Sequence, residues 1–200
     1  MLDKQTQKYL TSCGILPKYH EATLAQFTND DEAKARITDY IQRFAEFKKK
    51  GVGLYLWGDN GTGKTHCLNC AFKYFIKLRQ QVLIVSFESM ITTFIDGWYN
   101  TDARALYEQM RNCDFLAIEE LGKEFKSKES VLARTVLDNT LRYRLQMNKP
   151  TWLTSNVPPN DIKTAYSEDI ASMMREAVID IQIKGEDFRN KIRADLKKSL

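Results

Sequence analysis

The sequence predicts an α/β fold, a mostly parallel sheet with helices on both faces. Three observations predict it. Short apolar, β-branched runs alternate with stretches of helical period along most of the chain. The first of these runs leads directly into Gly58-Asp59-Asn60-Gly61-Thr62-Gly63-Lys64-Thr65, and a helical pattern follows. A composition of 43% hydrophobic and 28% charged residues is ordinary for a globular protein, so disorder is not indicated.

The elements can be justified in order. Val52-Gly53-Leu54-Tyr55-Leu56-Trp57 reads as a strand, and Lys64 to Leu78 as the helix after the glycine-rich turn. Gln81-Val82-Leu83-Ile84-Val85-Ser86 is short and β-branched enough for a buried strand, with helical stretches at Glu88 to Trp98 and Ala103 to Asn112. Asp114-Phe115-Leu116-Ala117-Ile118-Glu119 is a second buried strand. From Ser130 to Met147 the apolar residues Val131, Leu132, Val136, Leu137, Leu141 and Leu145 keep a helical period, which ends before Pro150. Thr151-Trp152-Leu153-Thr154 is the next strand, Glu168 to Glu176 a helix, and Val178 to Ile183 a last strand. At 200 residues one domain is the default. Residues 1–50 are expected to be an N-terminal extension and first helix packed on the core, with residues 51–200 as the ligand-binding domain.

Other classes are disfavoured. No apolar stretch approaches the roughly 20 residues that span a bilayer, and the N-terminus lacks a signal-peptide pattern, so a cytoplasmic protein is expected and no membrane partner. Net charge of +4 permits nucleic-acid binding without arguing for it. Cys67-Leu68-Asn69-Cys70 falls inside a helix with no second pair to complete a zinc site, so it and Cys13 and Cys113 read as buried thiols. His20 and His66 are not expected to be metal ligands.

The chemistry lies at the carboxyl ends of the strands, where open parallel sheets bind ligands. Residues 58–65 fit G-x-x-x-x-G-K-[ST] at every fixed position, the Walker A phosphate loop. Glycines let successive backbone N–H groups face one anion; Lys64 can reach the β- and γ-phosphates, and the Thr65 hydroxyl can ligate Mg²⁺. The nucleotide-contacting set is Gly58, Asn60, Gly61, Thr62, Gly63, Lys64, Thr65 and His66. About fifty-five residues beyond Lys64, Glu119 and Glu120 end a buried strand, as a Walker B element does. Glu119 is assigned to Mg²⁺ and Glu120 to the attacking water. Glu119 stands where Asp is usual, which lengthens the reach to the metal by about a bond. The alternative is a solvated acidic pair. Thr154-Ser155-Asn156 puts an amide beside the phosphates if its strand lies between the other two; taken alone it is a turn signal before Pro158-Pro159.

Together with these motifs, Gly14-Ile15-Leu16-Pro17-Lys18-Tyr19, Tyr143-Arg144 and Gly185-Glu186-Asp187-Phe188-Arg189 occur in an order that resembles the ATPase domain of DnaC/DnaI-type helicase loaders and IstB-type transposition ATPases. Those are AAA+ P-loop NTPases. The resemblance implies a sheet of five parallel strands, ATP with Mg²⁺, a sensor role for Asn156, and side-by-side assembly in which one subunit completes the next subunit's site. It implies as partners a replicative DNA helicase and single-stranded DNA, and the chain reads as a bare ATPase domain. Arg175, in Ser172-Met173-Met174-Arg175, matches the family segment that supplies an arginine in trans, although the family usually reads Ser-Arg-Leu there. Arg189 matches a second family arginine of unassigned role; a surface ion pair is the alternative for both.

Candidate DNA contacts are Trp98 and Tyr99, which can stack on bases, and Lys123, Lys126 and Lys128; the alternatives are a core position for Trp98 and a solvated loop for the lysines. Lys48-Lys49-Lys50 and the run Lys191, Arg193, Lys197 and Lys198 read as solvated faces. Three function classes remain: a helicase loader with slow, partner- or DNA-stimulated ATP hydrolysis, an ATPase serving a transposase on duplex DNA, and a small-molecule kinase. The paired acids and the absence of an arginine-rich lid weigh against the kinase.

Overall fold

A computed structural model describes residues 2–122 and 130–188. Five strands, β1 (Gly53–Trp57), β2 (Val82–Ser86), β3 (Phe115–Leu121), β4 (Thr151–Ser155) and β5 (Val178–Gln182), form one sheet in the order β2-β3-β4-β1-β5. Every pairing is parallel. The helices are α1 (Lys4–Ser12), α2 (Asp31–Gln42), α3 (Phe44–Lys50), α4 (Lys64–Lys77), α5 (Phe87–Asp96), α6 (Thr101–Asn112), α7 (Ser130–Gln146), α8 (Ile162–Ala165) and α9 (Glu168–Ala177).

Strands β1 to β4 are largely buried on both faces, whereas β5 buries only Ile181 and exposes Asp180 and Gln182; strand alternation sorts the buried side chains into two cores. Leu54, Leu56, Val82, Ile84, Phe115, Ala117 and Trp152 pack with α2 and α4. Tyr55, Leu83, Leu116, Ile118 and Leu153 pack with α5, α6, α7 and α9. Helix α4 contributes Cys67, Leu68, Ala71, Phe72 and Phe75 to the first core, and all four cysteines are buried and free. Phe75 stacks on Phe115 with ring centroids 4.2 Å apart.

Most helices start on a side chain that accepts from their free N–H groups: Asp3 for α1, Asp30 for α2, Ser86 for α5, Asn100 for α6 and Ser167 for α9. Helix α4 has no such cap. Gly63 fills the position with φ of 110°.

The first fifty residues hold more structure than one helix. Leu10, Cys13, Ile15, Phe27, Ala33, Ile37 and Tyr40 enter the same core as β1 and β2, and Ile84 N donates to Cys13 O at 2.9 Å along the β2 edge. Lys4–Ser12 is helical, with Asp3 accepting from Thr6 N; a helix that buries Leu10 alone leaves little periodic signal.

Helix α7 also departs from its apolar pattern. Val131, expected on the buried face, is 74% exposed, while Thr140 and Arg144 are fully buried. Arg144 Nε donates to Thr151 Oγ1, one terminal nitrogen to Met110, Arg111 and Cys113 carbonyls, and the other to Pro150 O at 2.8 Å. One guanidinium therefore closes the ends of α6 and α7 onto the starts of β3 and β4. Burial pulls its pKa below that of free arginine, although neighbouring groups such as the Cys113 thiol oppose the shift.

Candidate nucleotide site

The phosphate loop joins β1 to α4, and its shape depends on glycines in the left-handed region. Gly61 and Gly63 have φ of 76° and 110°. A Cβ on Gly61 would lie 1.8 Å from Asp187 Oδ1, and one on Gly63 would lie 2.7 Å from the Phe27 ring. At both positions the positive φ strains any residue with a Cβ, and the added atom would have to displace the Asp187 carboxylate or the Phe27 ring. Thr62 is buried and donates to Asp59 O at 3.0 Å, while Gly58 packs against Ile183 O; both shape the loop from behind. The Lys64 ammonium spans the loop to the Gly58 and Asp59 carbonyls at 2.7 and 2.6 Å. Asn29 Nδ2 donates to Thr62 O and to Glu186 O, and Phe188 N donates to Gly61 O, so the segments before α2 and after β5 both brace this turn.

The acidic pair sits on a β-bulge. Ile118 pairs with Leu153 but Leu121 pairs with Ser155, so β3 inserts one residue relative to β4. Glu120 lies in the left-handed region with φ of 67°, costly for a residue with a Cβ. Three hydroxyls hold the bulge. Thr154 Oγ1 accepts from Glu120 N at 3.2 Å, Ser155 Oγ donates to Leu121 O at 2.6 Å, and Tyr166 OH accepts from Gly122 N at 2.9 Å. The bulge turns Glu120 into the cleft; Glu119 stays half-buried in register with Ser86.

Because β4 lies between β3 and β1, Thr154-Ser155-Asn156 faces both halves of the site. Asn156 Nδ2 donates to Asn60 Oδ1 at 3.0 Å. The turn beyond is tied by Tyr55 OH, which donates to Val157 O at 2.6 Å; burial pushes that hydroxyl up to about 12, so it remains a donor at neutral pH.

The resulting cleft is about 620 Å³, within the range of small-ligand sites. Of the residues expected from sequence, Asn60, Gly61, Gly63, Lys64, Thr65, His66, Glu120 and Asn156 line it. Its far wall was not foreseen: Lys18, Tyr19, Ala22 and Phe27 come from the segment before α2, and Phe188 from the segment after β5. His66 lies against Phe27 and edge-on to Tyr19, with centroids 6.5 and 6.3 Å apart. The Gly14-to-Tyr19 stretch was part of the resemblance, but nothing local marked it as a wall. Glu119 does not line the cleft, but the glycine cradle, the Lys64 ammonium, the Thr65 hydroxyl and the Glu120 carboxylate form a donor set that fits a nucleotide polyphosphate with Mg²⁺.

Arg175 is not in this cleft. At the end of α9 it pairs with Glu168 Oε1 at 3.0 Å, beside a second cavity of about 480 Å³ that Tyr55, Lys163 and Asp180 also line. Trp98 and Tyr99 are 56% and 90% exposed beyond α5, which ends at Asp96 rather than Trp98. Lys48 and Lys50 form ion pairs with Asp114 and Glu46. Lys123, Lys126, Lys128, Arg189, Lys191, Arg193, Lys197 and Lys198 fall outside the described residues.

A family profile for the bacterial DnaA ATPase domain matches residues 31–193. The chain belongs to that family. Its AAA+ P-loop fold is that of the crystal structure of DnaI, with a TM-score of 0.72 and 24% identity, covering 84% of this chain and 95% of the other. Among curated proteins the DnaA-type domain is similar to the replicative helicase loader DnaC of Buchnera aphidicola, 24% identical over 84% of this chain and 69% of that protein. It is also similar to the replicative helicase loader DnaI of Bacillus subtilis, 24% identical over 82% of this chain. The chain spans only 53% of that loader's length. Among the described residues, no helix of this DnaA-family domain is long and apolar enough to cross a membrane.

Proposed function

We propose that the protein is an ATP-dependent helicase loader of the DnaC/DnaI kind, which binds Mg·ATP, self-assembles, and acts on a replicative helicase and single-stranded DNA during replication. The observation that carries the ATPase part is the path from Asn60 through Asn156 and Thr154 to Glu120, which brings the phosphate loop and the acidic bulge into one cleft. In this reading Gly61, Gly63 and Lys64 hold the phosphates, Thr65 and Glu119 hold Mg²⁺, and Glu120 with Asn156 orients water. Bound Mg²⁺ would neutralise charge on the phosphate oxygens. Arg175 lies outside its own chain's cleft, which suits a cation offered to a neighbour. The exposed Trp98 and Tyr99 suit stacking on unpaired bases. The likeness to DnaC and DnaI supports the loader role over the transposase role.

The test mixes the full chain with a replicative helicase from the organism that encodes it, Mg·ATP and single-stranded DNA coated with single-strand-binding protein. Helicase retained on the DNA only when the chain and ATP are present is expected. Failure to bind helicase, with ATPase stimulated by duplex but not by single-stranded DNA, would overturn the loader role in favour of the transposase ATPase.

A further inference from the structure

Lys73 lies on the outer part of α4, half-buried, nine residues beyond Lys64 and about 13 Å further along the helix axis. Its ammonium donates to three carbonyls of one short segment: Tyr19 O at 2.7 Å, His20 O at 2.9 Å, and Ala22 O. A lysine has three N–H donors, and this segment takes all of them. The segment's own N–H groups are satisfied locally, Tyr19 N by Leu16 O, His20 N by Pro17 O and Ala22 N by Tyr19 O. Its carbonyls converge inward on Lys73 while Lys18, Tyr19 and Ala22 line the nucleotide cleft. Burial pulls the pKa of Lys73 down, Lys77 acts in the same direction, and Cys70 and Glu21 oppose the shift.

One residue beyond Ala22, Thr23 O meets His66 Nε2 at 2.9 Å, from the first turn of the same helix. Lys34 on α2 takes the Ala25 and Phe27 carbonyls. Of these anchors only Lys73 holds the part carrying Tyr19, whose ring meets His66. The phosphate loop has braces of its own in Asn29 and Phe188.

We propose that Lys73 is a positioning residue for the base end of the nucleotide site: it fixes the aromatic wall on which the base packs and leaves the phosphate end unaffected. The proposal rests on the Mg·ATP reading of the cleft. Because α4 begins at the phosphate loop and carries Lys73 in its third turn, one rigid helix sets the distance between the two ends of the ligand. Base stacking on aromatic rings is sensitive to such placement, since a displaced ring loses the contact altogether.

The test measures calorimetric affinity of the full chain for Mg·ADP and for Mg·pyrophosphate, which has no base, in the wild type, Lys73→Met and Lys64→Ala. For Lys73→Met, ADP affinity is expected to fall about tenfold or more, as lost stacking would require, with pyrophosphate affinity within about twofold of wild type. Equal losses for both ligands, or no loss for ADP, would overturn the proposal. Lys64→Ala should weaken both ligands; if it weakens neither, the nucleotide reading itself fails, whatever Lys73→Met does. If Lys73→Met does not fold by its thermal transition, Lys73→Gln keeps two donors and should show the same ADP-selective loss in smaller degree.

Discussion

Asn156 at the end of β4 donates a hydrogen bond across the cleft to Asn60 in the phosphate loop, 3.0 Å away and ninety-six residues earlier. The two are far apart in sequence and adjacent in space because β4 lies between β3 and β1. A pair in direct contact should be energetically coupled. Asn156→Ala is expected to reduce ATP turnover about tenfold or more, in the range of a lost electrostatic donor, while ADP affinity changes little. Adding Asn60→Ala should cost less than the sum of the two single changes; a strictly additive cycle in the turnover rate would mean that the pair does not act together.

Thr154 provides a more selective probe of the bulge. Thr154→Val keeps the shape but removes the oxygen that accepts from Glu120 N. A residue held at φ of 67° depends on its surroundings to stay there. Turnover should drop with ADP affinity preserved. Equal turnover in Thr154→Val and wild type would show that the bulge holds without this bond.

The two acids should separate by metal response. Glu120→Gln is expected to bind ATP normally and hydrolyse very little, whereas Glu119→Gln should shift the Mg²⁺ requirement upward. Titrating Mg²⁺ at fixed ATP, and then removing it with a chelator, reads the difference. The reverse pattern would exchange the two assignments.

Arg175 bears on assembly. Arg175→Ala should leave ATP binding intact and abolish the rise of specific activity with protein concentration. Mixing it with Glu120→Gln should restore part of the rate, because one interface then pairs an intact acid with an intact arginine. A specific activity that stays flat across concentration, with no rescue on mixing, would make the chain a monomeric ATPase. Glu168, which holds Arg175 at 3.0 Å, is exposed, and its loss alone should have little effect on stability.

Arg144 should matter for folding and not for nucleotide chemistry. Replacing it by Met strands carbonyls of Met110, Arg111, Cys113 and Pro150 in a buried place. The expected loss is about 3 kcal/mol or more, from unsatisfied buried acceptors. Chemical denaturation measures it. A loss below about 1 kcal/mol, typical of a surface site, would mean that water replaces the guanidinium.

By itself the sequence determined the α/β alternation, the phosphate loop, the acidic strand end and the positions of all five strands to within two residues. These are local signals: periodicity, β-branched runs, and a motif whose residues are contiguous because one turn must wrap one anion. It also nominated Asn156, conditional on strand order. Only the tertiary structure decided that order, and with it the meeting of Asn156 with Asn60. The same holds for the bulge that turns Glu120 into the cleft, since a bulge is a mismatch between two strands and neither strand encodes it alone. Arg144 and Lys73 were hidden for a related reason. A cation taken out of water on a helix looks like a solvated one until the carbonyls that surround it, 31 residues away for Cys113 and 54 for Tyr19, are brought to it by packing.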